Sequence, residues 1–267
     1  MNKKSLSSRI AIFFSVTTTL FGLTLLSACT PKMNGLYQDP SFTYESMSQQ
    51  GIAIGGVSTP EDKANNTTVV SLRAELSELF REAIINQRPG IILMPAGDIA
   101  QALGPKYEPM MAYYSYRDVA ADEYLKLIQS NTQHIRYVVF ANIPTNSVGQ
   151  SRSDDDSGVY YQSYRNMTVS VKIYDLATSQ IVWSGSLSES ASTQNTYRTS
   201  PIVNSTNTND GSQPSMTAIL ISEAMAGVEK TQIDKHATYP NPPGTQPLAT
   251  QIFNDIARNL PKPSKHK

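Results

Sequence analysis

Hydrophobic and polar positions follow two different periods along this chain. Residues 51–57, GIAIGGV, are apolar without interruption, which predicts a short buried strand before the turn-rich STPEDKANN. Leu72, Leu76, Leu79, Phe80, Ala83 and Ile84 then recur at three- and four-residue spacing, the signature of a helix face. Thr67 or Thr68 caps its start, and Arg88-Pro89-Gly90 stops it. IILM at 91–94 reads as a second strand. A short helix follows, with Pro95 near its start and Gly104 at its end. Residues 106–118 hold two methionines and four tyrosines in no readable period. Val119, Leu125 and Ile128 mark the buried face of a further helix, and RYVVFANI is a strand that Pro144 should end.

From Val159 the period becomes two. Met167, Val169, Val171 and Ile173 alternate with Thr168, Ser170, Lys172 and Tyr174, as in a strand buried on one side. LATSQ turns the chain, and IVWSGSLSES returns it with Trp183, Gly185 and Leu187 on one side, predicting an antiparallel hairpin. Residues 216–232 read as helical, and PNPPGTQ is a break. Leu248, Ile252, Phe253, Ile256 and Leu260 then lie on one face of a closing amphipathic helix. Residues 144–158, with the acidic triplet Asp154 to Asp156, and 189–215 are dominated by Ser, Thr, Asn and Gln and read as polar loops. The expected fold is α+β. A mixed four- to five-stranded sheet is layered with helices, including a C-terminal antiparallel hairpin and the closing amphipathic helix. Residues 50–267 make one domain. Residues 29–49 are either a tether, reaching at most about 70 Å if fully extended, or an arm packed through Leu36, Tyr37, Phe42 and Tyr44.

The amino terminus adds a compartment. Lys3, Lys4 and Arg9 precede an uncharged run, Ile10 to Leu26, which ends in the small residues Ser27 and Ala28 before Cys29, the one cysteine of 267 residues. This is the order of a secretory signal peptide over residues 1–28. Its apolar run is shorter than the roughly 20 residues a membrane-spanning helix needs. Leu26-Ser27-Ala28-Cys29 resembles the lipobox of bacterial lipoproteins. That resemblance implies cleavage before Cys29, diacylglycerol on its sulfur and a fatty acyl chain, such as palmitate, on the new amino terminus. Thr30, where such proteins carry aspartate for inner-membrane retention, implies the outer membrane. Two or more acyl chains hold a protein on a bilayer stably.

Removing residues 1–28 takes away Lys3, Lys4 and Arg9. The 22 basic residues become 19 against 22 acidic, a formal charge of −3. No basic surface remains to neutralise phosphates, so nucleic acid is an unexpected partner. The cleaved chain would have no thiol besides the acylated one, so its stability must come from its core.

Catalytic patterns are sparse. His134, His236 and His266 stand apart from one another, and no nucleophile elbow, zinc-protease helix or phosphate-binding loop occurs. Neither a metal site nor a cofactor is expected. GIAIGG lacks dinucleotide-binding spacing and reads as a place of close packing. Asp154-Asp155-Asp156 lacks the glycine and distal glutamate of a calcium loop. Two aromatic clusters are candidate partner-binding surfaces: Met110, Met111, Tyr113, Tyr114 and Tyr116, and Tyr160, Tyr161 and Tyr164. Methionine and tyrosine are enriched in protein interfaces.

The first strand, capped helix and second strand at 51–94, the strand RYVVFANI and the hairpin VKIYDLATSQIVWSGSLSES together resemble a group of bacterial envelope domains. The group comprises the curli-secretion pore lipoprotein, the lipoprotein activators of bifunctional penicillin-binding proteins and the amino-terminal domain of the Tol-system propeller protein. The resemblance implies a non-enzymatic, lipid-anchored periplasmic protein. It would dock on an envelope assembly such as a secretion or flagellar ring or a peptidoglycan synthase. Two other readings stand beside it. One is an enzyme acting on glycan or peptide through carboxylates such as Asp98, Asp118 or Asp175; the other is a ring-forming homo-oligomeric secretion component.

Overall fold

In the computed structural model, residues 33–60, 67–132, 134–155, 158–198 and 237–264 are described. They belong to one compact unit beginning at Met33. Its centre is a six-stranded mixed sheet in the order β1-β6-β5-β4-β2-β3. The strands are β1 (Asn34–Gln38), β2 (Ile52–Ser58), β3 (Leu93–Met94), β4 (Tyr137–Asp155), β5 (Gly158–Asp175) and β6 (Gln180–Arg198). β2 pairs in parallel with β3 and β4, and the β4–β5, β5–β6 and β6–β1 pairs are antiparallel. The sheet thus exceeds the four or five strands expected, because the chain before residue 50 adds one at the edge. β5 and β6 pair as an antiparallel hairpin within the sheet, with β5 standing between β4 and β6.

Helices cover both faces. On one lie α1 (Tyr44–Gln50), α2 (Thr67–Gln87) and α6 (Thr245–Arg258). α1 begins at Thr43, whose Oγ1 accepts from the Ser46 N–H at 3.2 Å while Ser46 Oγ accepts from the Thr43 N–H at 3.0 Å, a reciprocal cap. Leu76, Phe80 and Ile84 of α2, Ile252, Phe253 and Ile256 of α6, and Met47 of α1 close a core over Ile54, Val139, Val169, Val171, Ile173 and Trp183. Phe80 and Phe253 meet with ring centroids 5.0 Å apart. The buried guanidinium of Arg88, just past α2, gathers carbonyls at the end of α6. It donates to Leu260 O at 2.5 Å, Pro261 O at 2.9 Å and Arg258 O at 2.6 Å. These carbonyls have no partner within their own helix, so the arginine ties the closing helix to α2.

On the other face lie α3 (Ala96–Leu103), α4 (Tyr107–Arg117), reached through a 3₁₀ turn at Gly104–Lys106, and α5 (Asp122–Asn131). Their Ile99, Leu103, Tyr107, Met110, Met111, Tyr114, Leu125 and Ile128 pack on Ala53, Val138, Phe140 and Tyr174. The glycine pair of β2 makes this possible. A Cβ on Gly55 would stand 2.3 Å from the Phe140 ring, and one on Gly56, whose φ is +138°, 2.8 Å from Met111 Cε. Val119, expected in this core, is exposed, because Asp118 ends α4 in the left-handed region (φ 53°) and turns the chain.

The largest departure from expectation is the length of the central strands. Pro144 does not end β4. It falls in a register shift between Asn142 and Thr145, where a residue lacking an N–H costs no ladder bond. β4 then runs on to Asp155, pairing Thr145 with Thr168 and Asp155 with Gly158, and β6 pairs with β5 as far as Arg198. Residues 144–155 and 189–198 are therefore strand, not polar loop. Strand pairing satisfies the backbone whatever the side chains, so a polar ribbon forms where hydrophobic alternation is missing. Cys29, Asp156, His236, His266 and the helix expected at 216–232 lie outside the described residues. No helix among the described residues is long and apolar enough to cross a membrane.

Candidate interaction surface

The first aromatic cluster divides when folded. Residues 107–117 are helical, so Tyr107, Met110, Met111 and Tyr114 share one face at three- and four-residue spacing and are buried. Tyr114 stacks on Phe140 with centroids 4.8 Å apart, and burial pushes its phenol well above the ordinary tyrosine range. Met110, Met111 and Tyr114 are thus core residues in this fold, where apolar contact explains them without a partner. Tyr113 and Tyr116 point outward, 42% and 69% exposed. Tyr113 lies against Tyr124 at 6.4 Å, and the Arg117 guanidinium covers the Tyr116 ring at 5.2 Å.

The second cluster splits across a sheet, since side chains alternate between faces. Tyr161 points to the α2/α6 side and is buried. Tyr197 and Tyr239 contact it edge-on, with centroids 5.7 Å and 5.1 Å away. Tyr161 is thus the hub of a clasp that holds residues 237–244 along the ribbon. Asn195 Nδ2 donates to Thr238 O at 3.0 Å, Thr193 Oγ1 to Asn241 O at 2.6 Å, and Arg165 Nε to Pro243 O at 2.7 Å. Sequence reasoning missed this clasp, because Tyr239 lies far along the chain in a proline-rich stretch without a period.

Tyr160 and Tyr164 occupy the opposite face. The register places Ser153 beside Tyr160, Ser151 beside Gln162 and Gly149 beside Tyr164, with Thr196, Gln194 and Ser192 on the other flank. Tyr164 lies across Gly149, where a Cβ would come within 2.3 Å of its ring, so the glycine leaves room for a tyrosine lying flat. Lateral hydrogen bonds join neighbours, with Ser151 Oγ donating to Gln162 Oε1 at 3.3 Å and Thr168 and Ser188 hydroxyls 2.9 Å apart. The helices α3 to α5 pack on β2, β4 and the base of β5, and this part of the sheet lies beyond them. The result is a band of hydroxyls, amides and two tyrosines that ends in a charge at its tip, where Asp155 Oδ1 accepts from the Tyr160 hydroxyl at 3.3 Å.

The aspartates singled out as catalytic candidates do not converge. Asp118 Oδ2 accepts from Lys172 Nζ at 2.5 Å and Ser170 Oγ at 3.1 Å, fastening the end of α4 to β5. Asp175 Oδ2 accepts from Arg136 Nε and Nη2 at 3.0 and 2.8 Å, and its Oδ1 from the Ala177 N–H at 2.9 Å. It shapes the β5–β6 turn and joins it to β4. Asp98 is exposed on α3. His134 borders a cavity of about 330 Å³ with Gln49, Gln50, Gln129 and Arg136, and no carboxylate is among its lining residues. No group of three or more His, Cys, Asp or Glu side chains placed to hold a metal ion occurs among the described residues.

No family model matches the chain, and no curated protein does. Several solved structures are similar in part. The PelC dodecamer from Paraburkholderia phytofirmans is 10% identical, covering 86% of this chain and 96% of that one, with a TM-score of 0.35. The LpoB C-terminal domain from Salmonella enterica is 14% identical over 57% of this chain and 87% of that one, TM-score 0.33. Lipoprotein GNA1162 from Neisseria meningitidis is 13% identical over 66% and 95%, TM-score 0.29.

Proposed function

We propose that the protein is a lipid-anchored, non-enzymatic component of the bacterial envelope. Acylated Cys29 holds it on the periplasmic side of the outer membrane, and the outer half of the β4–β5–β6 ribbon docks on another envelope protein. The observation that carries the docking role is the ribbon's open face. Three strands of 18 or 19 residues continue past the helix-covered core and display Ser151, Ser153, Tyr160, Gln162, Tyr164 and Gln194 on one side. A domain needs no such extension to bury its core, and a polar sheet face with tyrosines supplies the hydrogen bonds and aromatic contact typical of wet interfaces. The anchor is supported by the basic, apolar and small-residue order that precedes Cys29.

A photo-crosslinking residue placed at Gln162 or Gln194 in the intact envelope tests this. The proposal expects one dominant protein adduct from both positions and none from Glu82, exposed on α2. Equal or absent labelling at all three would overturn the ribbon's role.

A further inference from the structure

We infer that the β1 edge of the domain rests on the lipid surface, with Leu36 and Tyr37 at the level of the headgroups. This inference rests on the reading of Cys29 as the acylated residue. The chain enters the fold early: Met33 is only 7% exposed and belongs to the core beneath α2 and α6. Only Thr30, Pro31 and Lys32 lie between it and Cys29, so the four steps from Cys29 to Met33 reach at most about 14 Å even when fully extended. The headgroup layer on one side of a bilayer takes up roughly 5–8 Å of that reach. Little more than one side-chain length then remains between Met33 and the lipid surface. The domain has no long tether on which to stand away from the bilayer.

β1, the first strand after Met33, is the outermost strand of the sheet, and all five of its residues are exposed. Leu36 is 51% and Tyr37 48% exposed. Being consecutive, they project to opposite faces of the strand. A plane meeting either face of the sheet would touch one of them, whereas a plane meeting the sheet edge-on touches both. The interfacial zone also suits the edge chemically. Its water and phosphates can bond the outward N–H and C=O groups of β1, and a tyrosine places its ring against lipid with its hydroxyl in water. The opposite edge, β3 with the exposed Ile92 just before it, then faces away from the membrane.

The test uses the full, acylated protein. Cys29 is the only cysteine and its sulfur carries the lipid, so Leu36→Cys, Tyr37→Cys and Ile92→Cys each offer one free thiol for an environment-sensitive fluorophore. The labelled proteins are bound to phosphatidylethanolamine/phosphatidylglycerol vesicles containing a lipid with a nitroxide on its headgroup. Flotation first reports vesicle binding. Labels at 36 and 37 should lose most of their intensity and shift to the blue, and the label at 92 should do neither. Floated protein with labels at 36 and 37 as unquenched as that at 92 would overturn the inference. So would self-quenching at 36 and 37 without lipid quenching, which would show the edge paired with a second copy. Failure to float would instead overturn the acyl-anchor reading.

Discussion

Met33 lies across Gly185: a Cβ added to the glycine would stand 2.3 Å from Met33 Cε. This contact fastens the start of β1 to β6, and it depends on β6 having no side chain there. Met33 Cε is the mobile end of a flexible side chain, so Gly185→Ala should be mild. Gly185→Val fills the space beyond what Met33 can yield and should free the segment before β1. Limited proteolysis checks this. Cleavage near residues 33–38 should speed up in the valine variant and stay near wild type in the alanine variant.

Gly55 faces a stiffer neighbour. Its missing Cβ would lie 2.3 Å from Phe140 Cε1, and that ring is held by Tyr114 at 4.8 Å and Tyr174 at 6.1 Å. Gly55→Ala should cost about 2 kcal/mol of stability through overpacking. For a domain of this size that lowers the melting temperature by roughly 4–8 °C, measurable by scanning calorimetry.

Arg88 predicts a larger loss. Arg88→Met keeps the apolar stem but removes the donors to Arg258, Leu260 and Pro261 carbonyls. The expected cost is about 3 kcal/mol, and Arg88→Lys should recover little of it because an ammonium cannot match the planar fork. Chemical denaturation of the three proteins provides the comparison.

Tyr174 and Tyr114 set an alkaline limit. Burial pushes Tyr174 up to about 12 from the ordinary value of 10, and raises Tyr114 well above that ordinary value too. A phenol raised on folding leaves the folded state holding more protons between those values. The stability it contributes is complete below pH 10 and is lost as the pH rises through about 12. A spectrophotometric titration should show exposed tyrosines ionising first. Two should ionise only together with loss of the far-ultraviolet helix signal, whereas reversible ionisation of every tyrosine in folded protein would contradict this.

Elements with a clear hydrophobic period were legible in the sequence. The helix at 67–87, the alternating strand at 167–173 and the closing helix each bury one continuous stripe, and that stripe is what periodicity reports. The helix at 107–117 was not, since its outward face carries Tyr113 and Tyr116, which are as aromatic as the buried Tyr107 and Tyr114. The extension of β4 and β6 was illegible for a different reason. Its strands are held by backbone pairing, and its open face buries nothing, so no apolar pattern marks it. The split of the tyrosine clusters follows from the same two facts. Counting aromatic residues located both regions, and only the fold shows that Tyr114 and Tyr161 pack inside while Tyr116 and Tyr164 do not.

The anchor at Cys29 decides the account most directly, because the compartment and the placing of β1 at the membrane depend on it. The decisive measurement is the intact mass of the protein extracted from the membrane fraction, with its amino-terminal peptide. The account predicts a chain beginning at Cys29 that carries a diacylglycerol thioether and an amide-linked acyl chain, and loss of both, with release from the outer membrane, in Cys29→Ser. A chain that keeps residues 1–28, or one cleaved elsewhere and bearing no lipid, would contradict it.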